Sequence, residues 1–216
     1  MEETRRSAAL LAAMVALGAL AGCASSGRTQ STPKVSASLL APSMLESHGL
    51  AFLTPTANAD HDEDKQATAL VFASILSELR PEVRVIPLAQ TLGALNRTGL
   101  GRHYQKMYEG FRFTGLLDRE VLAKLRGVTG TRYFALLQLA DFSEESAAGS
   151  GLPLASRTVR VAHIRVFLQI WDSVDGTIAW EGVDEVSLRA NPDRGIEATF
   201  SAAAEHAARD LIAQLP

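Results

Sequence analysis

The chain has 216 residues, 47% of them hydrophobic and 21% charged, with a formal net charge of −3 at pH 7. That balance is globular, which excludes a disordered chain, and the lack of net basic charge gives a nucleic acid nothing to hold. A single cysteine, Cys23, excludes a disulfide framework, so packing must hold the fold together.

The first feature in chain order is an apolar run. Arg5 and Arg6 precede Ser7 to Ala21, which is almost wholly Ala, Leu, Val, Met and Gly, and the run closes on Leu20-Ala21-Gly22-Cys23. Its length matches the roughly 7–15 apolar residues of a secretory signal and falls short of the roughly 20 of a spanning helix. Leu-Ala-Gly-Cys resembles the lipobox of bacterial lipoproteins. That resemblance implies a signal peptide over 1–22, cleavage between Gly22 and Cys23, and acylation of Cys23, so that acyl chains make the membrane a partner. Each buried CH₂ contributes about 0.8 kcal/mol, and two or more chains anchor firmly where one is marginal. By the same resemblance, Asp after the cysteine signals retention in the inner membrane, so Ala24 implies the outer membrane and a domain facing the periplasm.

From Ala24 to Ser47 the sequence is rich in Ser, Thr, Ala and Pro without a sustained period, so residues 23–48 read as a lipidated cysteine and a flexible tether. About 25 such residues reach roughly 25–30 Å. The globular domain then occupies 49–216. Gly49 to Pro55 reads as a buried strand between Gly and Pro. An acidic run, Asp60-His61-Asp62-Glu63-Asp64, opens a helix that Pro81 stops, with carboxylates at the positive end of the dipole. Val83 to Ile86 is the second strand, giving a right-handed β-α-β unit.

Pro87 to Asn96 reads as a short helix, and Leu116 to Val128 as another, with Leu117, Val121, Leu122 and Leu125 on one face. Arg132 to Phe142 reads as a buried strand and Ser143 to Ser156 as a loop. Thr158 to Trp171 alternates with a period of two, Ala162 to Ile170 lying on one face. Asp175-Gly176 marks a hairpin turn, and Thr177 to Leu188 returns with Ile178, Trp180, Val186 and Leu188 inward. A final helix over 193–215 carries an alanine-rich stripe through Ala203, Ala207 and Leu211. These elements predict an α/β fold: a single mixed-sheet sandwich with helices packed on the sheet. It opens β-α-β and continues through an antiparallel three-strand meander to a C-terminal helix.

Several stretches carry a likeness to known proteins: GLAFLTP, the helix ending SILSELR, VRVIPL, GTRYFALLQLADF and HIRVFLQIWDSVDGTIAW. In that order they resemble the envelope group that includes the curli-secretion channel lipoproteins, the penicillin-binding-protein activator lipoproteins and the N-terminal domain of TolB. The resemblance implies the same fold. It does not transfer a job, since function lives in sites and not in folds. The stretch 143–156 is small and polar, without the 9–11 residues of lipid-facing alternation that a spanning strand needs at about 45° of tilt, so a channel is not expected.

No motif in the sequence marks an enzyme, and none is expected. The acidic run faces several directions along a helix and cannot converge on one ion. Asp172 and Asp175 lack the alternate ligands of a calcium loop. None of His48, His61, His103, His163 and His206 stands in a catalytic motif, and there is no nucleophile elbow. No catalytic residue, metal site or cofactor is expected. What remains is GRHYQKMYEGFRFTG at 101–115, in which Arg102, His103, Tyr104, Lys106, Tyr108 and Arg112 crowd together. Tyr and Arg are the residues that dominate protein–protein hot spots. They mark either a contact surface for an envelope partner, or for anionic envelope polymer or lipid, or a helix whose Tyr104, Met107, Tyr108, Phe111 and Phe113 pack on the sheet. The functional expectation is a non-catalytic binding or assembly component of the envelope. The alternative is an accessory or homo-oligomeric component of an envelope transport system.

Overall fold

The computed structural model describes residues 29–58, 64–148, 158–191 and 195–216. The eight strands are β1 (Gln30–Ser31), β2 (Lys34–Ser38), β3 (Leu50–Phe52), β4 (Thr56–Ala57), β5 (Val85–Ile86), β6 (Tyr133–Ala148), β7 (Thr158–Asp172) and β8 (Thr177–Arg189). The helices are α1 (Met44–His48), α2 (Lys65–Leu79), α3 (Leu88–Thr98), α4 (Gly101–Thr114), α5 (Arg119–Thr129) and α6 (Phe200–Ala213). One mixed sheet runs β1-β8-β7-β6-β3-β5, with β2 also on β8 and β4 also on β6.

The predicted β-α-β unit is present. β3 and β5 pair in parallel, Leu50 opposite Val85, and α2 forms the crossover. β3 also runs parallel to β6, whereas β6, β7 and β8 form the antiparallel meander. Asp118 caps α5 by accepting hydrogen bonds from the Glu120 and Val121 amides, so that helix starts later than its apolar period suggests. The acidic run that was expected to open α2 lies, from 59 to 63, outside the described residues.

The meander separates two cores. Under α2 and α6, Ala162, Ile164, Val166, Leu168 and Ile170 pack with Trp180, Val186, Leu188 and the α6 stripe of Ala203, Ala207 and Leu211. On the opposite face α3, α4 and α5 bury Leu53, Leu95, Tyr104, Met107, Leu122, Phe134 and Trp171. Ile178 joins this second core and not the first, because the β7–β8 register shifts between Ile170 and Trp171. An irregularity of one residue moves a side chain to the other side of a sheet.

Two readings of the chain need correction. Residues 30–38, inside the stretch assigned to a tether, pair with β8, from Gln30 opposite Ser187 to Ser38 opposite Trp180. That pairing takes 30–38 out of the stretch read as a tether, while 23–28 lie outside the described residues. Residues 143–148, assigned to a loop, extend β6 and pair with β7 as far as Ala148 opposite Thr158. The remainder of that predicted loop, 149–156, lies outside the described residues. Among the described residues no helix is long and apolar enough to cross a membrane.

Candidate functional site

The chain leaves β3 for α2 on one face of the sheet and leaves β5 for α3 on the other. Neighbouring parallel strands whose connections part in this way leave a crevice beyond their carboxyl ends. Thr54 stands there, and α4 is fastened to it.

α4 begins after Leu100 and ends at Gly115, whose φ of 69° is a left-handed conformation open to glycine at little cost. Its inner stripe is aromatic. The Thr54 amide donates to Tyr104 Oη at 2.8 Å, and Tyr104 Oη lies 3.0 Å from Thr54 Oγ1. Tyr108 Oη donates to the Thr54 carbonyl at 2.5 Å, and the two phenol rings meet tilted, 4.9 Å between centroids. Burial raises both phenols above their ordinary pKa, Tyr108 well above it, so both act as neutral hydrogen-bonding groups. Met107 fills the space beside them and is buried.

The six residues singled out from the sequence are thus divided by the helix. Tyr104 and Tyr108 point inward and hold α4 to Thr54. Arg102, His103, Lys106 and Arg112 are exposed. His103 and Lys106 line a groove of about 310 Å³ between α4 and the start of α5, together with Met107, Gly110, Leu116 and Leu117. Arg112 lines a different concavity, about 370 Å³, with Lys65, Tyr108, Thr54 and Thr56. The packing stripe was expected to include Phe113, but that side chain is 91% exposed. It lies two residues after Phe111, half a turn off the inner stripe. Leu116, 64% exposed, stands near it past the Gly115 turn. This apolar tip, bounded by Arg112 and Lys106, is the feature that residue types alone did not separate from core.

Elsewhere titratable groups tie strands together. Asp172, buried, takes the Arg132 guanidinium through both carboxylate oxygens at 2.6–3.0 Å and also accepts the Val174 amide at 2.9 Å. That pairing raises the Arg132 pKa and pins the β7–β8 turn to the start of β6. His163 on β7 meets Ser187 on β8, Nδ1 to Oγ 2.7 Å, on the face away from α6. Among the described residues no three of His, Cys, Asp and Glu converge as a metal-binding group. Cys23 and Gly22 lie outside the described residues.

The fold and this site define a single α/β domain in which a mixed sheet carries a basic and aromatic helix at the ends of its parallel strands. No family model matches the chain, and no curated protein matches it. Solved structures do share the fold. The PelC dodecamer from Paraburkholderia phytofirmans is 9% identical, with a TM-score of 0.54 over 87% of this chain and 99% of that one. A single-substitution variant of the same PelC, also a dodecamer and 9% identical, gives a TM-score of 0.52 over 85% and 96%. A looser likeness is lipoprotein GNA1162 from Neisseria meningitidis, 16% identical, with a TM-score of 0.38 over 77% and 98%.

Proposed function

We propose that the mature chain is an outer-membrane lipoprotein whose domain faces the periplasm and serves, without catalysis, as a binding and assembly component of the cell envelope. The observation that carries this reading is the Leu20-Ala21-Gly22-Cys23 motif closing an apolar run, with only residues 24–29 between the cysteine and the first strand. Six residues span at most about 22 Å, so the domain stays beside its membrane. The resemblance of its sequence stretches to the curli-secretion and activator lipoproteins supports the same reading. α4 then supplies the contact surface, through Arg102, Lys106, Arg112 and the Phe113–Leu116 tip.

A second reading is favoured by one observation: the fold it shares over nearly the whole length of a PelC chain, which is a dodecamer. In that reading this chain also closes on copies of itself, as a part of an envelope transport assembly. A contact between two different surface patches repeats around a ring when its rotation closes. The test of the first reading is intact mass after membrane fractionation, beside Cys23→Ala. A triacylated chain beginning at Cys23 in the outer-membrane fraction, lost in the variant, is the expected result. An unmodified chain in the soluble fraction overturns it. Native mass of the detergent-solubilised protein decides the second reading, which requires one discrete large oligomer.

A further inference from the structure

β1 is held to the sheet by an arrangement that neither reading of function uses. Ser31 Oγ lies 3.1 Å from each carboxylate oxygen of Asp184 on β8 and 2.5 Å from Oδ2 of Asp210 on α6. Asp184 is fully buried, and Asp210 is half-buried. Asp184 Oδ1 also accepts the backbone amides of Thr32 at 3.0 Å and Glu185 at 2.8 Å. A serine hydroxyl has one hydrogen and can donate to one carboxylate. With both acids ionised, the other carboxylate faces the serine oxygen lone pair to lone pair, and two like charges share an enclosed site. A single proton on the pair removes both conflicts. The protonated carboxyl donates to Ser31 Oγ, and Ser31 donates to its partner.

Among the described residues no countercharge does the same work. Opposite Asp184 on β7 is Val166, and Glu185 and Arg165 pair in register on the other face. β1 contributes Gln30 and Ser31, neither titratable. Lys34 of β2 is exposed, in register with Val183. On α6, Arg209 is turned to Glu78 and Glu205, and His206 stands one turn before Asp210.

We propose that Asp184 and Asp210 form a proton-dependent latch that holds β1 through Ser31, and with it the start of the domain's leash. Burial raises the Asp184 carboxyl above its ordinary pKa and Asp210 adds to the rise, against the hydrogen bonds from Ser31, Glu185 and Thr32. A group whose pKa is raised in the docked state favours that state at low pH, and the advantage is lost as pH rises through the docked value. Docking of β1 is therefore tightest in acid and loosens toward alkaline pH. β2 stays paired, and Leu40 beyond it stays buried. Release adds Gln30 to Pro33 to the leash, about 13 Å of extended chain. The leash rests on the Cys23 anchor. The latch does not, and its test reads no lipid.

That test is amide hydrogen exchange on the full mature chain, corrected for chemical exchange rate, at roughly pH 5 and roughly pH 8. Protection over residues 30–32 is expected to fall about tenfold on going to the higher pH, while 34–38 hold theirs. Asp184→Asn gives the site a permanent donor and is expected to keep protection high at both pH values. Asp210→Asn, the second variant should the first fold poorly, flattens the dependence in the same way, and His206→Gln leaves it intact. The latch is overturned by equal protection of 30–32 at both pH values in the unmodified chain. It is equally overturned if the fall persists in both Asn variants, or if His206→Gln alone abolishes it.

Discussion

The two faces of the sheet are built to different rules. On the face under α2 and α6 the contacts run the length of the meander, and small residues set the spacing: Ala203, Ala204, Ala207 and Ala208 on the helix are all fully buried. On the other face α3, α4 and α5 close over Ala51, Leu53, Phe134, Leu136 and Trp171 at one end of the sheet, and the outer rows through Arg165, His163 and Phe167 carry exposed or half-buried side chains. Close approach needs small residues and leaves no room to adjust. Partial cover leaves helices that can present groups outward. Packing is therefore tightest on the first face, and side chains left free to face outward are concentrated on the second.

Substitutions can break that contrast. The largest effect is expected from Gly182→Ala on the closed face, where an added Cβ would lie 2.5 Å from the Trp180 ring and 3.1 Å from Leu211 Cδ2. Overpacking of this kind costs about 1–3 kcal/mol, to be read from the midpoint of urea unfolding. A change within error would show that the α6 face has slack after all. Tyr108→Phe on the second face is expected to cost about 1 kcal/mol, since it strips the Thr54 carbonyl of its donor. All three tyrosines of the chain, Tyr104, Tyr108 and Tyr133, are held neutral above their ordinary value, chiefly by burial. The stability linked to them is present at neutral pH and lost as pH rises through the raised values. A tyrosinate absorbance titration should therefore stay flat through the ordinary phenol range and rise with alkaline unfolding. The smallest effect on stability, within about 0.5 kcal/mol, is expected for Phe113→Ala combined with Arg112→Ala. The same pair of changes should weaken capture of a partner or self-association, scored by pull-down and native mass. Unchanged association would return α4 to a purely structural part.

Where period and punctuation agree, the sequence was enough. The alternation from Ala162 to Ile170, the turn at Gly176 and the alanine stripe of α6 each state one face and one boundary. Legibility failed where the physical cause lies outside the segment. Residues 30–38 carry no period because an edge strand touches the sheet on one side only, and their partner is more than 140 residues away at Trp180 to Ser187. Residues 143–148 read as loop from their Ser and Glu content, yet cross-strand pairing with β7 keeps them extended. In α4 the aromatic residues alone could not reveal which would turn inward. That choice was made by Thr54, a residue 50 positions from Tyr104 and invisible to any local pattern.

The two ends of the sheet bear on how copies of this protein can meet. At one end β5 is two residues long and is followed by Pro87, which has no amide hydrogen to offer. At the other, β2 pairs with β8 through a register shift between Val35 and Ala37, with Pro33 just before it. Among the described residues neither of these two borders presents the long flat row of free amides and carbonyls that would template another chain. Copies that meet at these two borders are thereby kept from joining their sheets into a continuous ribbon.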